Sequence, residues 1–523
     1  MTELRRTAVR PTRRRFLAGA AAFVPVAYLY GCAAGGNGRG GPFSLGVASG
    51  EPKPGSVVLW TRLAPDPLDG GGMAPAPVEV SWIVAADEGF TRIVRRGTAT
   101  AVADDAHSVH VEVTGLEPGR PYWYRFVANG EASPTGRART APAAGAAIDR
   151  LRFAYASCQQ YEQGYYAAHR HMAAEDLDVV FFLGDYIYEA TWGENLVRRH
   201  GSGEAKTLAG YRNRYALYKT DPDLQASHAA FPWIVTWDDH EVSNDYADDA
   251  GERVIGPAFL ARRAAAYKAY WEHMPLSPAR RPTGPSAQIY RSFDFGTLAR
   301  FAVLDDRQFR SHEPCHRPGL IGGGGTLPED ICTLRLDPDR TLLGATQERW
   351  LRDTIDRSPA RWNLLTQQTR MAQFAFQTEQ GRSFFVDGWD GYVAARRRLL
   401  EFIGTRRPSN PVVIGGDVHA TYVADLKPDF DDPNSPVVAA ELCGTSITSY
   451  GPRNRAAMAR RVRENPHMVY GNGWTRGYMR VALDRDRAIA ELRGVADAQD
   501  RDSKISTVAK FAVENGRPGA KLA

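Results

Sequence analysis

The sequence predicts an α/β layered domain preceded by an all-β sandwich of the immunoglobulin or fibronectin kind. Three observations carry this. From position 42 to about Thr140, short alternating runs are separated by Gly and Pro, with no helical periodicity between them. The Ala-rich stretch Ala141 to Ala147 reads as a linker. From 149 to 495, short apolar runs alternate with helical segments, the pattern of an α/β domain. A chain of 523 residues has room for several domains. With 43 % hydrophobic and 24 % charged residues, its composition argues against a disordered, collagen-like or polytopic membrane protein.

Residues 1–32 read as an export signal. Thr12-Arg13-Arg14-Arg15-Phe16-Leu17 leads into an apolar run from Phe16 to Tyr30, followed by Gly31 and Cys32. Pro25 interrupts the run, which is shorter than the roughly 20 residues that span a bilayer. The paired arginines before Phe16-Leu17 resemble the twin-arginine signal, which sends folded proteins across the bacterial inner membrane to the periplasm or beyond. Cys32, after Leu29-Tyr30-Gly31, is a candidate lipid-anchored cysteine, although Tyr30 is unusual at its position. This segment holds six arginines and one acid, Glu3, so the net charge of +5 lies entirely within it. The other 59 basic and 59 acidic residues balance, and no nucleic-acid site is evident from charge.

The sandwich strands are read at Ser56 to Leu63, Val78 to Val84, Ser108 to Val113 and Trp123 to Val127. The turn Gly115 to Tyr124 resembles those of fibronectin type III domains and offers a tyrosine for a corner hydrogen bond. In the α/β part the strands are Leu151 to Ala156, Val179 to Leu183, Trp233 to Trp237, Ala299 to Leu304 and Pro411 to Ile414. The clearest helices are Tyr165 to Glu175 and Ala258 to His273. Residues 496–523 read as a loosely held tail.

In α/β folds reactive groups gather just past the carboxyl ends of the strands. Here the tips carry Ser157-Cys158-Gln159, Gly184-Asp185-Tyr186-Ile187-Tyr188, Asp238-Asp239-His240-Glu241-Val242-Ser243-Asn244 and Gly415-Gly416-Asp417-Val418-His419. A single Asp at such a place is more often a turn or a helix cap than a ligand. Four tips bearing metal-ligand types are less easily dismissed. Gly184 and Gly416 would let the backbone bring Asp185 and Asp417 close. Thiolate, phenolate and carboxylate suit ferric iron, whereas carboxylate and amide oxygens suit Ca²⁺. Asp185, with two oxygens, is able to bridge both. Such a cluster clamps a phosphate and activates hydroxide for in-line attack, and His240 beside Asp239 is placed to bind the phosphate or protonate the leaving alkoxide. A hydrogen-bonded structural histidine is the other reading of His240.

Ala156-Ser157-Cys158-Gln159, Leu183 to Tyr188, Trp237-Asp238-Asp239-His240-Glu241-Val242 with Asn244, and Gly416-Asp417-Val418-His419 resemble the signature of the PhoD-like alkaline phosphatases. That family lies within the calcineurin-like metallophosphoesterases and is distantly related to purple acid phosphatases. The resemblance implies a metallophosphoesterase catalytic domain over 149–495 behind an amino-terminal sandwich of the family's type over 42–140. It also implies one Fe³⁺ and two Ca²⁺, and hydrolysis of phosphate mono- and diesters outside the cytoplasm. Carried over, Cys158, Asp185, Tyr188 and His419 would hold iron, and Asp185, Asp239, Asn244 and Asp417 calcium. Asp239 stands where the wider superfamily has Asn, and Asp417 replaces a histidine. Both exchanges favour calcium over a di-iron or iron–zinc centre.

Other positions are less specific. Arg307, in Asp305-Asp306-Arg307, is a candidate for phosphate binding through a forked pair of hydrogen bonds, with a surface ion pair as the alternative. Trp389, Tyr392 and Arg396 either border the entrance or pack beneath the sheet. Cys315 and Cys332, in a Gly- and Pro-rich stretch of an exported chain, are a candidate disulfide; Cys443 reads as a buried apolar residue. Two rival functions remain open: a phosphodiesterase or phospholipase D acting on lipid or cell-wall polymers, and a non-catalytic exported binding protein.

Overall fold

Two facing sheets direct their parallel strands toward one common edge, and that edge is where chemistry is possible. The computed structural model describes residues 40–523; the basic start, its paired arginines and Cys32 lie outside the described residues. In the first sheet Arg150–Ala156, Val179–Phe182 and Pro232–Val235 run parallel. In the second, Ala299–Val303, Trp362–Thr366, Pro411–Gly415 and Ala439–Cys443 do the same. Such segments are apolar on both faces because both faces are covered. Val179 and Phe181 meet the opposing sheet, whereas Val180 and Phe182 meet helices.

Between the sheets, Phe153 meets Phe181 and Phe301 edge-on at centroid distances of 5.5 and 5.1 Å, and Phe181 stacks on Phe301 at 4.4 Å. Helices Ala167–Ala173, Leu208–Lys219, Pro222–Ala230 and Pro257–His273 cover the outside of the first sheet. Gly344–Asp356, Val393–Arg406 and Arg455–Glu464 cover the second. Their starts are written locally: Thr207 Oγ1 accepts from the Gly210 N–H at 3.1 Å, and Asp221 caps a helix that begins at Pro222. Among the described residues no helix is long and apolar enough to cross a membrane.

Residues 42–140 are rich in strands, and they depart from the expected sandwich in one respect: one of the two packed layers is continuous with the main sheet. Val47–Lys53, Ser56–Arg62 and Ser108–Thr114 form one end of the first, ten-stranded sheet. They join it through the parallel pairs Ser49–Pro232 and Gly50–Trp233. Glycine is required there, since a Cβ on Gly50 would lie 2.3 Å from the Pro275 oxygen and 2.7 Å from that of Trp233. A second layer, including Val78–Ala85 and Pro121–Ala128, packs against these strands through Val57, Leu59, Val80, Tyr124 and Phe126. In the turn before it, the Glu117 N–H donates to Tyr122 Oη at 2.9 Å.

The carboxyl-terminal residues also depart from expectation. Ile505–Glu514 pairs antiparallel with Arg487–Val495, and Phe511 and Val513 are buried in the inter-sheet core. The apolar run Phe511-Ala512-Val513 is too short to read as a strand without sight of its partner.

Lys219, at the end of its helix, is buried with its ammonium 4.2 Å from the centre of the Trp60 ring. Burial lowers its pKa from 10.5 to about 7. Below pH 7 both the folded and the unfolded chain hold this proton, so the folded state bears the full cost of burying the charge, on the order of 5 kcal/mol. Between pH 7 and 10.5 the folded state releases the proton first and the cost falls away. Lys219→Met is expected to raise the melting temperature at pH 6 and to leave it nearly unchanged at pH 10.5; equal gains at both would refute this account.

Candidate metal centre

At the common edge the backbone turns into the left-handed region at four side chains that carry ligand atoms. Cys158, Asp185, Asp417 and His419 have φ of 57°, 53°, 64° and 51°, values that non-glycine residues adopt at a cost. Two glycines let the tips touch. A Cβ on Gly184 would lie 2.4 Å from Asp238 Cβ, and one on Gly416 would lie 2.3 Å from Ser157 Oγ. Ser157 and Ser446 form a parallel bridge that stitches the two sheets together here.

The structure brings Cys158, Asp185, Tyr188 and His419 together. Ligand atoms of Cys158, Asp185 and His419 lie within 4.8 Å of one another. Tyr188 Oη is 2.9 Å from Asp185 Oδ2 and 3.0 Å from His419 Nε2, and it accepts a hydrogen bond from Ser449 Oγ at 2.7 Å. His419 Nδ1 donates to the Tyr450 carbonyl at 2.8 Å, which leaves Nε2 facing the cluster. Burial, reinforced by Asp185, pushes the Cys158 thiol and the Tyr188 phenol well above their ordinary pKa values.

Asp185 also belongs to a second group, with oxygens of Asp185, Asp238 and Asp239 within 4.8 Å. Burial above all drives the carboxyls of Asp185, Asp238 and Asp417 well above the usual carboxylate range. Asp239 is the exception: burial works against its charge, but Arg307 and His240 outweigh burial and hold it at about 2. Thr369 Oγ1 donates to Asp417 Oδ2 at 2.9 Å. Asn244 Nδ2 donates to Glu252 Oε1 at 3.0 Å and its N–H to Glu189 Oε1 at 2.8 Å, so its side-chain oxygen is not engaged by these bonds. Glu241 fixes two of the tips, accepting the N–H groups of Asp185, Tyr186 and Asp238 at 3.0, 2.6 and 2.8 Å.

The expectation that Arg307 binds phosphate needs correction. The residue is 1 % exposed and its guanidinium is surrounded by carboxylates. Nε donates to Asp238, Nη1 to Asp387 at 2.9 Å, and Nη2 lies 3.1 Å from Asp239 and 3.7 Å from Asp417. It pairs with four aspartates and has no face open to a ligand. Arg310, also buried, meets Asp387 and Glu313 at 2.6 Å each. Asp-Asp-Arg after a strand gives no sign of burial, which is why sequence reasoning missed this network and Asp387 within it.

His240 is fixed from one side. Its Nδ1 meets Glu189 Oε2 at 2.7 Å, its ring lies over Tyr188 with centroids 4.0 Å apart, and Nε2 is 3.9 Å from Asp239 Oδ2. Burial disfavours its charge, yet Glu189, Asp239 and Asp185 together hold it protonated well above the usual imidazole range. A cationic imidazole, anchored at Nδ1 and next to the carboxylate cluster at Nε2, suits an anionic ligand or a leaving oxygen.

The donors fit metal ions. Thiol, phenol, imidazole and several carboxylates converge in one buried place, and among the described residues the buried Asp238 Oδ2 accepts no hydrogen bond. A more peripheral triplet, Asp248, Asp249 and His312, is half-buried except for the exposed histidine and is satisfied internally by a His312–Asp249 hydrogen bond of 2.7 Å. A cavity of about 670 Å³ lined by Arg407, Pro408, Pro436 and Asn515 opens at the other, amino-terminal end of Pro411–Gly415, remote from these groups. Trp389, Tyr392 and Arg396 are buried among the helices under the second sheet, so they do not border an entrance. Cys315 and Cys332 are joined by a disulfide, and Cys443 is buried.

Comparison with known proteins shows the family. A family model described as PhoD-like phosphatase matches residues 153–492, and one described as PhoD-like phosphatase, N-terminal domain, matches 32–142. Alkaline phosphatase D of Bacillus subtilis (strain 168) is 48 % identical over 488 residues, covering 92 % of this chain and 82 % of that protein. The solved structure of PhoD superposes with a TM-score of 0.88 at 47 % identity, over 94 % of this chain and 93 % of its own. The purple acid phosphatase PPD1 from yellow lupin (Lupinus luteus) seeds shares the fold at a TM-score of 0.52 and 12 % identity, over 90 % of this chain and 74 % of its own.

Removing the central cation should be costly. Arg307→Met leaves buried carboxylates without their shared partner and is expected to destabilise the metal-free protein by about 3–5 kcal/mol in denaturant titration. Adding Asp387→Asn should recover part of the loss. An unchanged midpoint would mean that the network contributes no stability.

Proposed function

From its membership of the PhoD-like phosphatase family, to which this chain belongs as a hydrolase of phosphoric esters, we propose that it works as an exported, iron- and calcium-dependent alkaline phosphatase. The observation that carries the reading is the convergence of Cys158, Asp185 and His419 within 4.8 Å, with the Tyr188 hydroxyl between two of them. Thiolate, phenolate, carboxylate and imidazole in one shell support ferric iron there. Oxygen donors from Asp185, Asp239, Asn244 and Asp417 support two calcium ions beside it. Held by these residues, such ions would supply positive charge for phosphoryl oxygens and for lowering the pKa of a water molecule.

The chain's own groups do the rest. Glu189 holds His240 Nδ1, so the imidazolium keeps a proton at Nε2 for the oxygen of the leaving alcohol. Glu241 and Arg307 keep the carboxylates at fixed positions, so little reorganisation is required when substrate arrives. The substrate class is a small phosphate ester. The paired arginines before Phe16-Leu17 support the twin-arginine route of export, and a disulfide between Cys315 and Cys332 suits an oxidising compartment.

Elemental analysis and spectroscopy test the metals. Protein purified from the exported fraction is expected to contain iron and calcium and to show a visible charge-transfer band that Tyr188→Phe or Cys158→Ala abolishes; an unchanged band in both variants would sink the iron assignment. EGTA should remove hydrolysis of a phosphate monoester and Ca²⁺ should restore it, whereas indifference to the chelator would count against calcium. His240→Ala should lower turnover by about 10²–10³ with metal content unchanged. If the variant loses metal instead, His240 is a ligand and not a proton donor.

A further inference from the structure

One tryptophan on the rim of the site has no structural duty that explains it. Trp192 is 40 % exposed, although large apolar rings are usually well covered. It lies in the irregular stretch between Tyr188 and the helix Leu208–Lys219. Its indole meets the His240 ring edge-on, with centroids 5.8 Å apart and planes at 71°. His240 in turn lies over Tyr188, so Trp192, His240 and Tyr188 form an aromatic row from solvent into the candidate metal centre.

The backbone that carries the exposed ring is held in place. Gln163 Nε2 donates to the Trp192 carbonyl at 2.9 Å, and Gln163 Oε1 accepts the Tyr450 N–H at 2.6 Å. Tyr450 is the residue whose carbonyl receives His419 Nδ1. One glutamine therefore ties the tryptophan's backbone to the residue that orients His419. Gly193, at φ 82°, permits this approach: a Cβ there would lie 2.9 Å from Gln163 Nε2 and 3.4 Å from the Tyr450 ring. The Tyr450 hydroxyl and Gln499 Nε2 both donate to the Asn195 carbonyl, at 3.1 and 2.9 Å. An anchored loop presenting a solvent-facing indole next to the residue that would protonate the leaving oxygen is a preformed binding wall. Preorganisation of this kind lowers the ordering cost of binding.

We propose that Trp192 is a specificity-determining residue that stacks on the leaving alcohol of the ester, favouring flat aromatic leaving groups, nucleosides included, over small aliphatic ones. The inference rests on the phosphatase reading and deepens it. Stacking on an indole face requires a π surface on the ligand, and aromatic stacking on a base alters affinity by about one to two orders of magnitude. Trp192 would act on binding of the alcohol portion alone, with no part in holding metal or moving a proton.

The test compares phenyl phosphate with methyl phosphate on the metal-replete enzyme, for the parent, Trp192→Ala and Trp192→Phe. Trp192→Ala should raise KM for phenyl phosphate about ten- to hundredfold, with kcat and iron content nearly unchanged, and should alter methyl phosphate kinetics by less than about twofold. Trp192→Phe should recover most of the loss. A parallel fall on both esters, or no change on either, overturns the role of Trp192 and leaves the phosphatase reading standing. A parent enzyme that is fully loaded yet hydrolyses neither ester overturns the phosphatase reading, and this inference with it.

Discussion

Burying negative charge is the constraint on which the rest of this structure depends. Asp185, Asp238, Asp239 and Asp387 are withdrawn from water along one sheet edge and Asp417 is half-buried beside them, where isolated carboxylates are costly. Arg307 touches four of them, Arg310 shares Asp387, and His240 stands between Glu189 and Asp239. These three cations do not neutralise the whole group: burial still drives the carboxyls of Asp185, Asp238 and Asp417 upward. A site that keeps more carboxylate than its own cations satisfy has affinity for added positive charge, and the proposed ions answer that imbalance.

The same constraint accounts for the strained backbone. A residue in regular strand geometry aims its side chain across the sheet, not beyond its end. Turning into the left-handed region at Cys158, Asp185, Asp417 and His419 re-aims each side chain past the edge. Each turn costs on the order of 1 kcal/mol and persists because its surroundings over-determine it. Glu241 accepts the N–H groups of Asp185 and Tyr186 at one of these turns and that of Asp238 at the neighbouring strand tip, and the strands behind them are locked between two cores. Helices and sheets here thus serve as a frame that holds unfavourable local geometry in place.

Much of this was legible in the sequence because it is written locally. Apolar runs such as Val179-Val180-Phe181-Phe182 announce doubly covered strands, and a glycine before Asp185 or Asp417 announces a sharp turn. What was not legible depends on partners distant in the chain. The pairing of Gly50 with Trp233 that fuses the amino-terminal strands to the main sheet leaves no local trace. Nor does the pairing that turns residues 505–514 into a strand. Arg307 was misread for the same reason, since its burial comes from Asp238, Asp387 and Asp417, brought in by other strand ends. Trp192 sits in a stretch with no periodicity, and only the fold sets it against His240.

The charge count acquires a different sense in this light. The sequence excess of +5 sits wholly in the first 32 residues, and the remainder balances, so nothing in the overall charge advertises an anionic substrate. Attraction for phosphate must then come from a short-range source. A His240 imidazolium beside the carboxylate cluster is one, and the proposed ions are another, stronger because a fixed multivalent charge in a dry cleft is weakly screened. Long-range steering by net charge falls off with salt over a Debye length, whereas a buried cationic centre does not. A charge-balanced chain around the proposed ions would therefore draw small phosphate esters by short-range attraction that depends little on salt.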